Sequence, residues 1–434
     1  MKILILSNSH PYRTAGIVAK DFMDGLKEIV GNEVKLVVRV WGNYQDKNII
    51  PTDGFFKHNQ KRIFRKGING LKRLGFFRKK IIKTNRDYSV QDYDQTINYY
   101  STWRILKKAG FIPDIILVLF MQNFLSYKNL YELNHLSKAP IFLYMMDMAP
   151  LTGGCHYAWN CKGYLKNCGS CPALFSDDPI DQSYINWEYK KQLIEKTDIR
   201  AIAGTEWTYR QLQKSSLFEN KNKHKILLPI NENIFHPADK TSTRKKLSLP
   251  LNKKIIFFGA VSFAQKRKGF DQLVKALEIL KKDLDTKENI HLAIAGNCNI
   301  EFEKLLPFSY TMLGYLSHTD LPKAFQAADV FVSPSIEDAG PMMVNQSIMC
   351  GTPVVAFEIG VALDLVHTGE TGYRAKLKDY VDLAEGIKWF LSLNKNEIEK
   401  TKYNCRNSAL SICSIDRFKE RIHLIIKDNF NTKP

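Results

Sequence analysis

The sequence has little that would anchor it in a membrane or cross-link it. Its longest apolar run, residues 115–121, has the length of a β-strand and is far below the roughly 20 residues that a membrane-spanning helix requires. The apolar stretch at residues 3–6 is too short for the core of a signal peptide and predicts a first strand instead. Eight cysteines in 434 residues do not make a disulfide scaffold. A cytosolic location with reduced thiols is therefore expected.

Acidic residues are scarce relative to basic ones. The 63 Lys and Arg residues against 44 Asp and Glu residues give a formal net charge of +19. This imbalance favours an anionic partner such as a nucleotide, a nucleic acid or an anionic membrane. Proline and glycine are near average usage, which excludes collagen-like and low-complexity chains. The hydrophobic fraction of 44% predicts a folded protein, and the length allows two or three domains.

Short runs rich in valine and isoleucine recur along the chain, with helical stretches between them. The runs begin at residues 2, 34, 114, 140, 225, 254, 291, 310, 330 and 352. Continuous apolar runs are typical of strands buried on both faces, and strands that alternate with helices predict βαβ units in parallel sheets. We therefore predict an α/β protein with two doubly wound domains joined near residues 228–254. The last segment, residues 415–429, has apolar residues at helical spacing and must pack on another element, for example by crossing back to the first domain.

Residues 57–86 contain twelve basic residues and no acidic one, with isoleucine, leucine and phenylalanine between them. Apolar groups that enter the headgroup boundary, together with cations that each add about 1 kcal/mol against anionic lipid, would make this segment a membrane-surface element. The alternative is a solvated insertion that packs its apolar residues on the domain. No nucleic-acid-binding module accompanies the charge, so we expect no nucleic-acid partner.

The stretch VFVSPSIEDAGPMMVNQSIMCGTPVVAFEIG, residues 330–360, predicts a strand, a loop, a helix, a turn and a second strand. Pro341 suits the first turn of the helix, Gly351 its C-terminal cap and Pro353 the exit. The loop at residues 337–340 would then lie at the carboxyl end of a strand and face a helix N-terminus, where free N–H groups favour a phosphate. The carboxylates of Glu337 and Asp338 could accept hydrogen bonds from sugar hydroxyls beside that phosphate.

This stretch resembles the donor-binding signature of the family 4 retaining glycosyltransferases of the GT-B fold. KRKGFDQLVKALEIL from residue 266 resembles the Lys-Gly helix start of that family, and LGYLSHTDLPKAFQAADVFVSPS from residue 313 resembles the lead into its signature. TGGCHYAWNCKGYLKNCGSCP from residue 152 resembles an insert of a bacterial branch concerned with surface polysaccharides.

The resemblance implies two Rossmann-like domains that face a cleft. Residues 1–232 would form the acceptor-side domain, with a basic insertion at 57–107 and a cysteine insert at 152–172. Residues 233–410 would bind the nucleotide-sugar donor, and residues 411–434 would pack back on the first domain.

The resemblance also implies a donor-binding set, carried over residue by residue. Lys268, with Arg267 beside it, would neutralise the diphosphate as it leaves, and Asp338 would hold sugar hydroxyls. Position 346 would hold the ribose, and Gly16 would open a loop against the donor phosphates or the acceptor. The other implied donor-binding positions are Gly259, Leu313, Glu337, Gly340, Pro341, Met342 and Met343.

Three positions depart from the family pattern. The family has Glu where this chain has Gln346, so a neutral amide replaces a charged hydrogen-bond acceptor. The Arg that often follows the glycine of the second domain's first strand is Ala260, and Arg267 or Lys266 would replace it. The His of an H-D-M run is Met146, which leaves Asp147 and His156 as residues that could activate the acceptor. A purely structural role for His156 is equally open.

The mechanism that the resemblance implies is retention by front-face attack, with no metal ion required. Cations and helix N–H groups would stabilise the charge that develops on the leaving diphosphate. A metal-dependent transferase would require an Asp-x-Asp pair, and we assign the two pairs present, at residues 92–94 and 283–285, to charged helical surroundings instead.

Four cysteines fall within 17 residues: Cys155, Cys161, Cys168 and Cys171. Four soft ligands this close could bind a structural zinc ion, although only the last pair has the usual tight spacing. A reduced cluster or a disulfide in the isolated protein is the alternative. The other four cysteines are scattered.

The sequence therefore predicts a hexosyltransferase that moves a sugar from a nucleotide diphosphate sugar to a growing bacterial surface glycan, such as capsule, exopolysaccharide or O-antigen. The acceptor could be lipid-linked, with the enzyme peripheral on the inner face of the cytoplasmic membrane. Two alternatives remain: a catalytically weakened nucleotide-sugar-binding partner subunit and a GT-B nucleotide-sugar epimerase.

Overall fold

The computed structural model describes residues 1–13, 16–53, 83–90, 92–283, 289–297 and 303–431, the side chains of residues 428–431 excepted. Contacts divide the chain into two compact units. Unit 1 comprises Met1–Ala203 and Arg210–His224, and unit 2 comprises Gly204–Tyr209 and Lys225–Pro434. Most of the basic segment predicted to contact a membrane, residues 54–82, lies outside the described residues.

Unit 1 is built around a seven-stranded sheet in the order β3-β2-β1-β4-β5-β6-β7. Its strands are β1 (Lys2–Ser7), β2 (Glu33–Val38), β3 (Ile49–Pro51), β4 (Ile115–Phe120), β5 (Ile141–Met145), β6 (Ile199–Ala203) and β7 (Lys223–Lys225). Its helices are α1 (Gly16–Lys27), α2 (Thr102–Ala109), α3 (Tyr127–Ser137) and α4 (Gln182–Glu195), and they are followed by α5 (Glu206–Lys214), which begins in residues of unit 2. The strand pairings from β3 to β6 are all parallel.

Unit 2 has a six-stranded parallel sheet in the order β10-β9-β8-β11-β12-β13. Its strands are β8 (Lys254–Ser262), β9 (Ile290–Asn297), β10 (Ser309–Gly314), β11 (Val330–Ser333), β12 (Val354–Phe357) and β13 (Gly372–Ala375). Its helices are α6 (Lys240–Lys246), α7 (Phe270–Asp283), α8 (Leu321–Ala327), α9 (Met342–Met349), α10 (Ala362–Leu365), α11 (Tyr380–Ser392), α12 (Lys395–Cys413) and α13 (Ile415–Asn431).

Burial explains why the strands are continuous apolar runs. All residues of β5, β6, β11 and β12 are buried, as are all but the first residue of β1 and the last of β4. Helices on both faces of a parallel sheet leave neither face to water, so alternation with polar residues is absent. The prediction of an α/β protein with two doubly wound parallel sheets is confirmed.

A buried carboxylate fixes the start of β11, the strand that leads into the candidate site. Asp329 accepts hydrogen bonds from Arg244 Nη2 at 2.6 Å, Lys240 Nζ at 2.8 Å and the backbone N–H of Ile255 at 2.6 Å. Burial alone would raise the pKa of Asp329, but the two cations outweigh it and lower this pKa. The network ties α6 and β8 to β11.

The C-terminal helix α13 follows α12 after a break at Ser414 and buries Phe418, Ile422 and Ile426. Contacts assign this helix to unit 2. The packing of residues 411–434 on the first domain stays a prediction. Within the described ranges, the structure contains no helix whose length and apolar content would let it traverse a bilayer.

Candidate functional site

The loop between β11 and α9 carries the predicted signature, and a residue outside the signature, Thr205, holds it in place. Thr205 is buried, and its hydroxyl donates a hydrogen bond to the carbonyl oxygen of Ala339 at 2.6 Å. A Cβ atom at Gly340 would lie 2.8 Å from Cγ2 of the same threonine. The loop therefore requires a residue without a side chain at position 340, whatever it binds.

A short basic turn, Lys266–Lys268, lies against this loop. The backbone N–H of Ile336 donates to the carbonyl oxygen of Arg267 at 2.8 Å. Gly269 ends the turn with φ of +67°, and a Cβ atom there would be 1.7 Å from the carbonyl oxygen of Pro334. Only glycine combines this backbone conformation with so close an approach, so it lets the turn meet the loop before α7 begins.

Asp338 holds the two predicted phosphate-binding cations. Its Oδ2 accepts hydrogen bonds from Lys268 Nζ at 2.6 Å and from Arg267 Nη1 at 2.8 Å, while Oδ1 accepts from the backbone N–H of Gly340 at 3.2 Å. The side chain is 7% exposed. Burial alone would raise the pKa of Asp338, but the charges of Lys268 and Arg267 outweigh it and hold this pKa below its usual value. The side chain is therefore ionised at neutral pH.

This cluster places two cations near a helix N-terminus. Two cations share one carboxylate, and the side chains of Lys268 and Arg267 remain 21% and 18% exposed. The helix α9 starts directly after Pro341, and no side chain caps its first turn. Pro341 thus precedes the helix rather than lying in its first turn. Uncapped N–H groups, the helix dipole and the cations together favour an anion at this place.

Gln346 lies in α9 and carries an unsatisfied polar atom. The residue is 2% exposed, and its Oε1 has no hydrogen-bond partner among the described residues. Buried side-chain oxygens are normally hydrogen-bonded, so this one is suited to accept a donor from a ligand. The position is the one for which the resemblance implies ribose binding.

Two of the other implied donor-binding positions join this cluster through backbone hydrogen bonds: the N–H of Glu337 donates to the carbonyl oxygen of Arg267 at 3.3 Å, and the N–H of Gly340 donates to Asp338. Gly259 lies within β8, where a Cβ atom would be 2.7 Å from the carbonyl oxygen of Ala295. Leu313 and Met343 are partly buried and pack against the hydrophobic core of unit 2. Glu337 is 8% exposed and lies next to Asp338 in the loop. Packing thus accounts for the residue types at 259, 313 and 343.

In unit 1, Gly16 opens α1. A Cβ atom at this position would lie 1.9 Å from the carbonyl oxygen of His10, so the close approach of the helix start to His10 requires glycine. The structure explains this residue by backbone packing.

Asp147 and His156 form a carboxylate–imidazole pair after β5. Oδ2 of Asp147 lies 2.7 Å from Nδ1 of His156, and Oδ1 accepts from the backbone N–H of Ala149 at 2.7 Å. Burial alone would raise the pKa of Asp147, but His156 and these hydrogen bonds lower it. The sequence placed both residues in the site, and the structure pairs them.

Two charged residues near this pair were missed as site residues. Lys190 of α4 is 1% exposed and donates to the carbonyl oxygens of Ala149 at 2.8 Å and Thr152 at 2.6 Å. Burial lowers the pKa of Lys190 to about 8.

Asp92 interacts electrostatically with Lys190 and His156. Its assignment to helical surroundings was wrong, because residues 92–94 have irregular backbone. No sequence signal distinguishes a buried lysine on a polar helix.

The four clustered cysteines line one small cavity of about 20 Å³. All four are free thiols, and the backbone N–H of Gly153 donates to Sγ of Cys168 at 3.2 Å. Burial raises the pKa of Cys155 and of Cys168 to about 12. Within the described ranges, no three His, Cys, Asp or Glu side chains are arranged as ligands of one metal ion. Zinc binding by Cys155, Cys161, Cys168 and Cys171 stays a prediction.

Replacing Asp338 with asparagine should destabilise the protein in a pH-dependent way. The change removes the charge of the carboxylate that both partly buried cations contact, at a cost of about 2–3 kcal/mol in the free energy of unfolding at pH 7. Because the folded pKa of Asp338 is depressed, its contribution is present above the unfolded pKa of about 3.9 and is lost as pH falls through the folded pKa. Urea unfolding of wild type and Asp338→Asn at pH 7, 5 and 3 measures the difference.

The matched control is Asp416→Asn, which removes an exposed carboxylate from an ion pair with Lys419 and should change stability little. Equal stability of wild type and Asp338→Asn at pH 7 would show that the carboxylate does not hold the cations.

Comparison with known proteins agrees with this geometry. A family model described as "Glycosyl transferases group 1" matches residues 239–408, less than half of the chain. A D-inositol 3-phosphate glycosyltransferase of Arthrobacter sp. (strain FB24) is 29% identical over 167 residues, which are 36% of this chain and 39% of that protein. The chain thus matches well under two thirds of the length of this curated relative.

Solved structures match over the full length. Sucrose-phosphate synthase from Thermosynechococcus elongatus superposes with a TM-score of 0.65 at 15% identity, covering 100% of both chains. Anabaena Alr3699/HepE, crystallised with UDP and glucose, superposes with a TM-score of 0.61 at 14% identity, covering 99% of this chain and 100% of the other. The two parallel-sheet units therefore have the GT-B glycosyltransferase fold.

Proposed function

We propose that the protein is a retaining glycosyltransferase that moves a sugar from a nucleotide diphosphate sugar to a bacterial surface glycan. The observation that carries this proposal is the pair Lys268 and Arg267, held by Asp338 beside the N-terminus of α9. The match of residues 239–408 to the glycosyltransferase family model supports it. The UDP and glucose bound by HepE support a nucleotide sugar as the donor.

The cations act on the leaving group. Breaking the bond between the anomeric carbon and the diphosphate oxygen leaves negative charge on the diphosphate, and Lys268, Arg267 and the N–H groups at the start of α9 neutralise it. This assigns the role of a metal ion to protein groups. Asp338 keeps both cations in place before the donor arrives, so little reorganisation is needed during the reaction. Its own oxygens are then available to sugar hydroxyls as the cations turn to phosphate.

Retention follows if the acceptor attacks from the face that the diphosphate leaves. The bond from the acceptor oxygen to the anomeric carbon then forms on the side where the old bond breaks. The proton of the acceptor hydroxyl passes to the departing phosphate oxygen. We assign orientation of the acceptor to unit 1, where the carboxylate of Asp147 holds the imidazole of His156 in place.

The acceptor class rests on the cysteine insert at residues 152–172, which resembles an insert of surface-polysaccharide enzymes. The relative from Arthrobacter is named for an inositol phosphate acceptor, which is likewise polyhydroxylated. We therefore propose a glycan or lipid-linked glycan of the capsule, exopolysaccharide or O-antigen type.

We further propose that unit 1 contacts an anionic membrane on its inner, cytoplasmic face. The helix α2 buries one face against unit 1 and exposes an aromatic and basic face, made of Trp103, Arg104, Lys107 and Lys108. The Trp103 ring is 65% exposed, and Lys107 Nζ lies 5.0 Å from its centroid. Tryptophan flanked by cations suits the headgroup region of a bilayer. This face follows the basic segment in sequence.

A second reading is a partner subunit that binds the donor but turns it over poorly. Gln346 favours it, because the amide lacks the charge that the family uses at this position and its Oε1 has no partner in the described part of the chain. Met146 and Ala260 point the same way. An epimerase on the same architecture would release an altered sugar without an acceptor.

Replacing Lys268 with alanine should abolish turnover. Loss of one preorganised charge that stabilises the leaving group costs on the order of 10²–10³-fold in kcat. Mass spectrometry of a panel of UDP-, GDP- and ADP-sugars with wild type identifies the donor, and the same assay on Lys268→Ala measures the loss. Product analysis without an acceptor separates transfer from epimerisation.

The control for that loss is Lys281→Ala, which removes an exposed cation from the far end of α7 and should leave turnover unchanged. Wild-type rates in Lys268→Ala would refute the proposed role of the cations.

Replacing Gln346 with glutamate tests whether the amide weakens the donor site. A charged hydrogen bond to the ribose should lower the donor KM by about 5-fold relative to the neutral one. Wild type should already turn over its donor, and the variant should do so at lower donor concentration. The control is Asn345→Asp, which adds a carboxylate at the neighbouring buried position of the same helix, provided that its melting temperature matches that of Gln346→Glu. Turnover that appears only in Gln346→Glu would establish the binding-subunit reading instead.

Membrane contact predicts selective flotation of the full chain with anionic vesicles. We expect more protein bound to phosphatidylglycerol-containing vesicles than to pure phosphatidylcholine, with binding falling as salt rises and screens the charges. Trp103→Ser should lower binding several-fold, whereas Tyr403→Ser, which removes an aromatic ring that is 68% exposed in unit 2, should not. Equal recovery with both lipids would refute the electrostatic contribution.

A further inference from the structure

Asp92 has one oxygen engaged with the protein and one open to solvent. Its Oδ2 accepts a hydrogen bond from the backbone N–H of Asn123 at 3.2 Å. Asn123 has φ of +54° in the turn after β4, so this bond supports a strained turn. Within the described ranges, Oδ1 has no hydrogen-bond partner, and it is not among the buried unsatisfied atoms. The residue is partly buried.

The residues around Asp92 lie at the carboxyl edge of the unit 1 sheet, the edge at which parallel sheets bind ligands. Arg39 follows β2, Asn123 follows β4 and Asp147 follows β5, so all three lie at the carboxyl edge of the unit 1 sheet. Ligands of open α/β sheets bind at this edge. Burial raises the pKa of Asp92, and Asn123, Lys190, His156 and Arg39 oppose that rise. No cation forms an ion pair with this carboxylate among the described residues.

Of the two neighbouring carboxylates, Asp147 is already used by the protein on both oxygens, and Asp94 is used on one. Both oxygens of Asp147 are engaged, one with His156 and one with the N–H of Ala149. Asp94, two residues after Asp92, accepts from the backbone N–H and the hydroxyl of Thr96 and so closes a local turn. Asp92 therefore differs from Asp147 in having an oxygen that can accept a hydrogen bond from outside the protein, and it combines that oxygen with the electrostatic neighbourhood of Lys190 and His156.

We propose that Asp92 is an acceptor-binding residue whose Oδ1 accepts a hydrogen bond from a hydroxyl of the acceptor sugar, next to the Asp147–His156 pair. This inference rests on the proposed function and names the polar contact that selects the acceptor. A hydroxyl suits the position because sugar hydroxyls donate hydrogen bonds and Oδ1 of Asp92 is an acceptor with no partner among the described residues. The contact needs no proton transfer to Asp92.

The substitution Asp92→Asn separates binding from structural support. An asparagine has the same shape, and its amide oxygen can still accept from the N–H of Asn123, which turns the NH₂ group outward. The outward group then donates instead of accepting, and the charge is lost. We expect the KM for the acceptor to rise by about 10- to 100-fold, as for loss of a charged hydrogen bond. Hydrolysis of the donor without acceptor and the melting temperature should stay at wild-type values.

The experiment uses the full chain, the donor found in the nucleotide-sugar panel, and methyl glycosides of glucose, galactose and mannose as acceptor probes. Asp94→Asn is the matched control and should keep the wild-type acceptor KM. An unchanged acceptor KM in Asp92→Asn overturns the inference while leaving the proposed function in place. If the melting temperature and the rate of donor hydrolysis both fell in Asp92→Asn, the role of Asp92 would be to support the Asn123 turn. That result would also overturn the inference.

The wild-type protein separates the remaining outcomes. Donor hydrolysis without transfer to any of the probes counts against an acceptor site that recognises sugar hydroxyls at this edge. No turnover of any donor refutes the proposed function, and the inference falls with it.

Discussion

One buried carboxylate between two cations determines the geometry of the donor loop. Without Asp338, Lys268 and Arg267 would be neighbouring like charges on a short turn, and repulsion would drive them into solvent. With it, both side chains converge on a single oxygen. The loop that carries Asp338 also receives the backbone of the basic turn and the hydroxyl of Thr205. Charge and backbone packing thus support the same arrangement.

That arrangement has a chemical advantage for a leaving group that is an anion. The cations are partly desolvated and oriented before the ligand binds, so little of the binding free energy is needed to bring them together. A carboxylate as the resting partner is weaker than a diphosphate, since it offers one charge where the diphosphate offers more. The site can therefore exchange one counter-ion for another with the cations almost in place.

Much of the fold could be predicted from the sequence, because its signals are local. Apolar runs such as those of β5 and β12 are long enough to fix strands, and the glycine and proline residues around α9 fix its ends to within one residue. The pairing of Asp338 with Lys268 could not be predicted, since it joins residues 70 positions apart through tertiary packing. Asp92 and Lys190 could not be identified as site residues for the same reason. In the sequence, a carboxylate in an irregular segment and a lysine on a polar helix resemble solvated residues. That Oε1 of Gln346 has no partner among the described residues also depends on the tertiary packing around it, so the sequence could not predict it.

The division of the chain carries a consequence for its folding. Unit 2 is not a continuous half of the protein, because residues 204–209 belong to it although they precede the last strand of unit 1. These six residues include Thr205, which supports the signature loop, and Glu206, whose N–H donates to the carboxylate of Asp364 at 2.8 Å. A fragment that begins at residue 225 would contain every strand of the second sheet and still lack the hydroxyl beneath its ligand loop. The polypeptide thus passes through the second unit before the first is finished, and neither is completed by a simple cut between them.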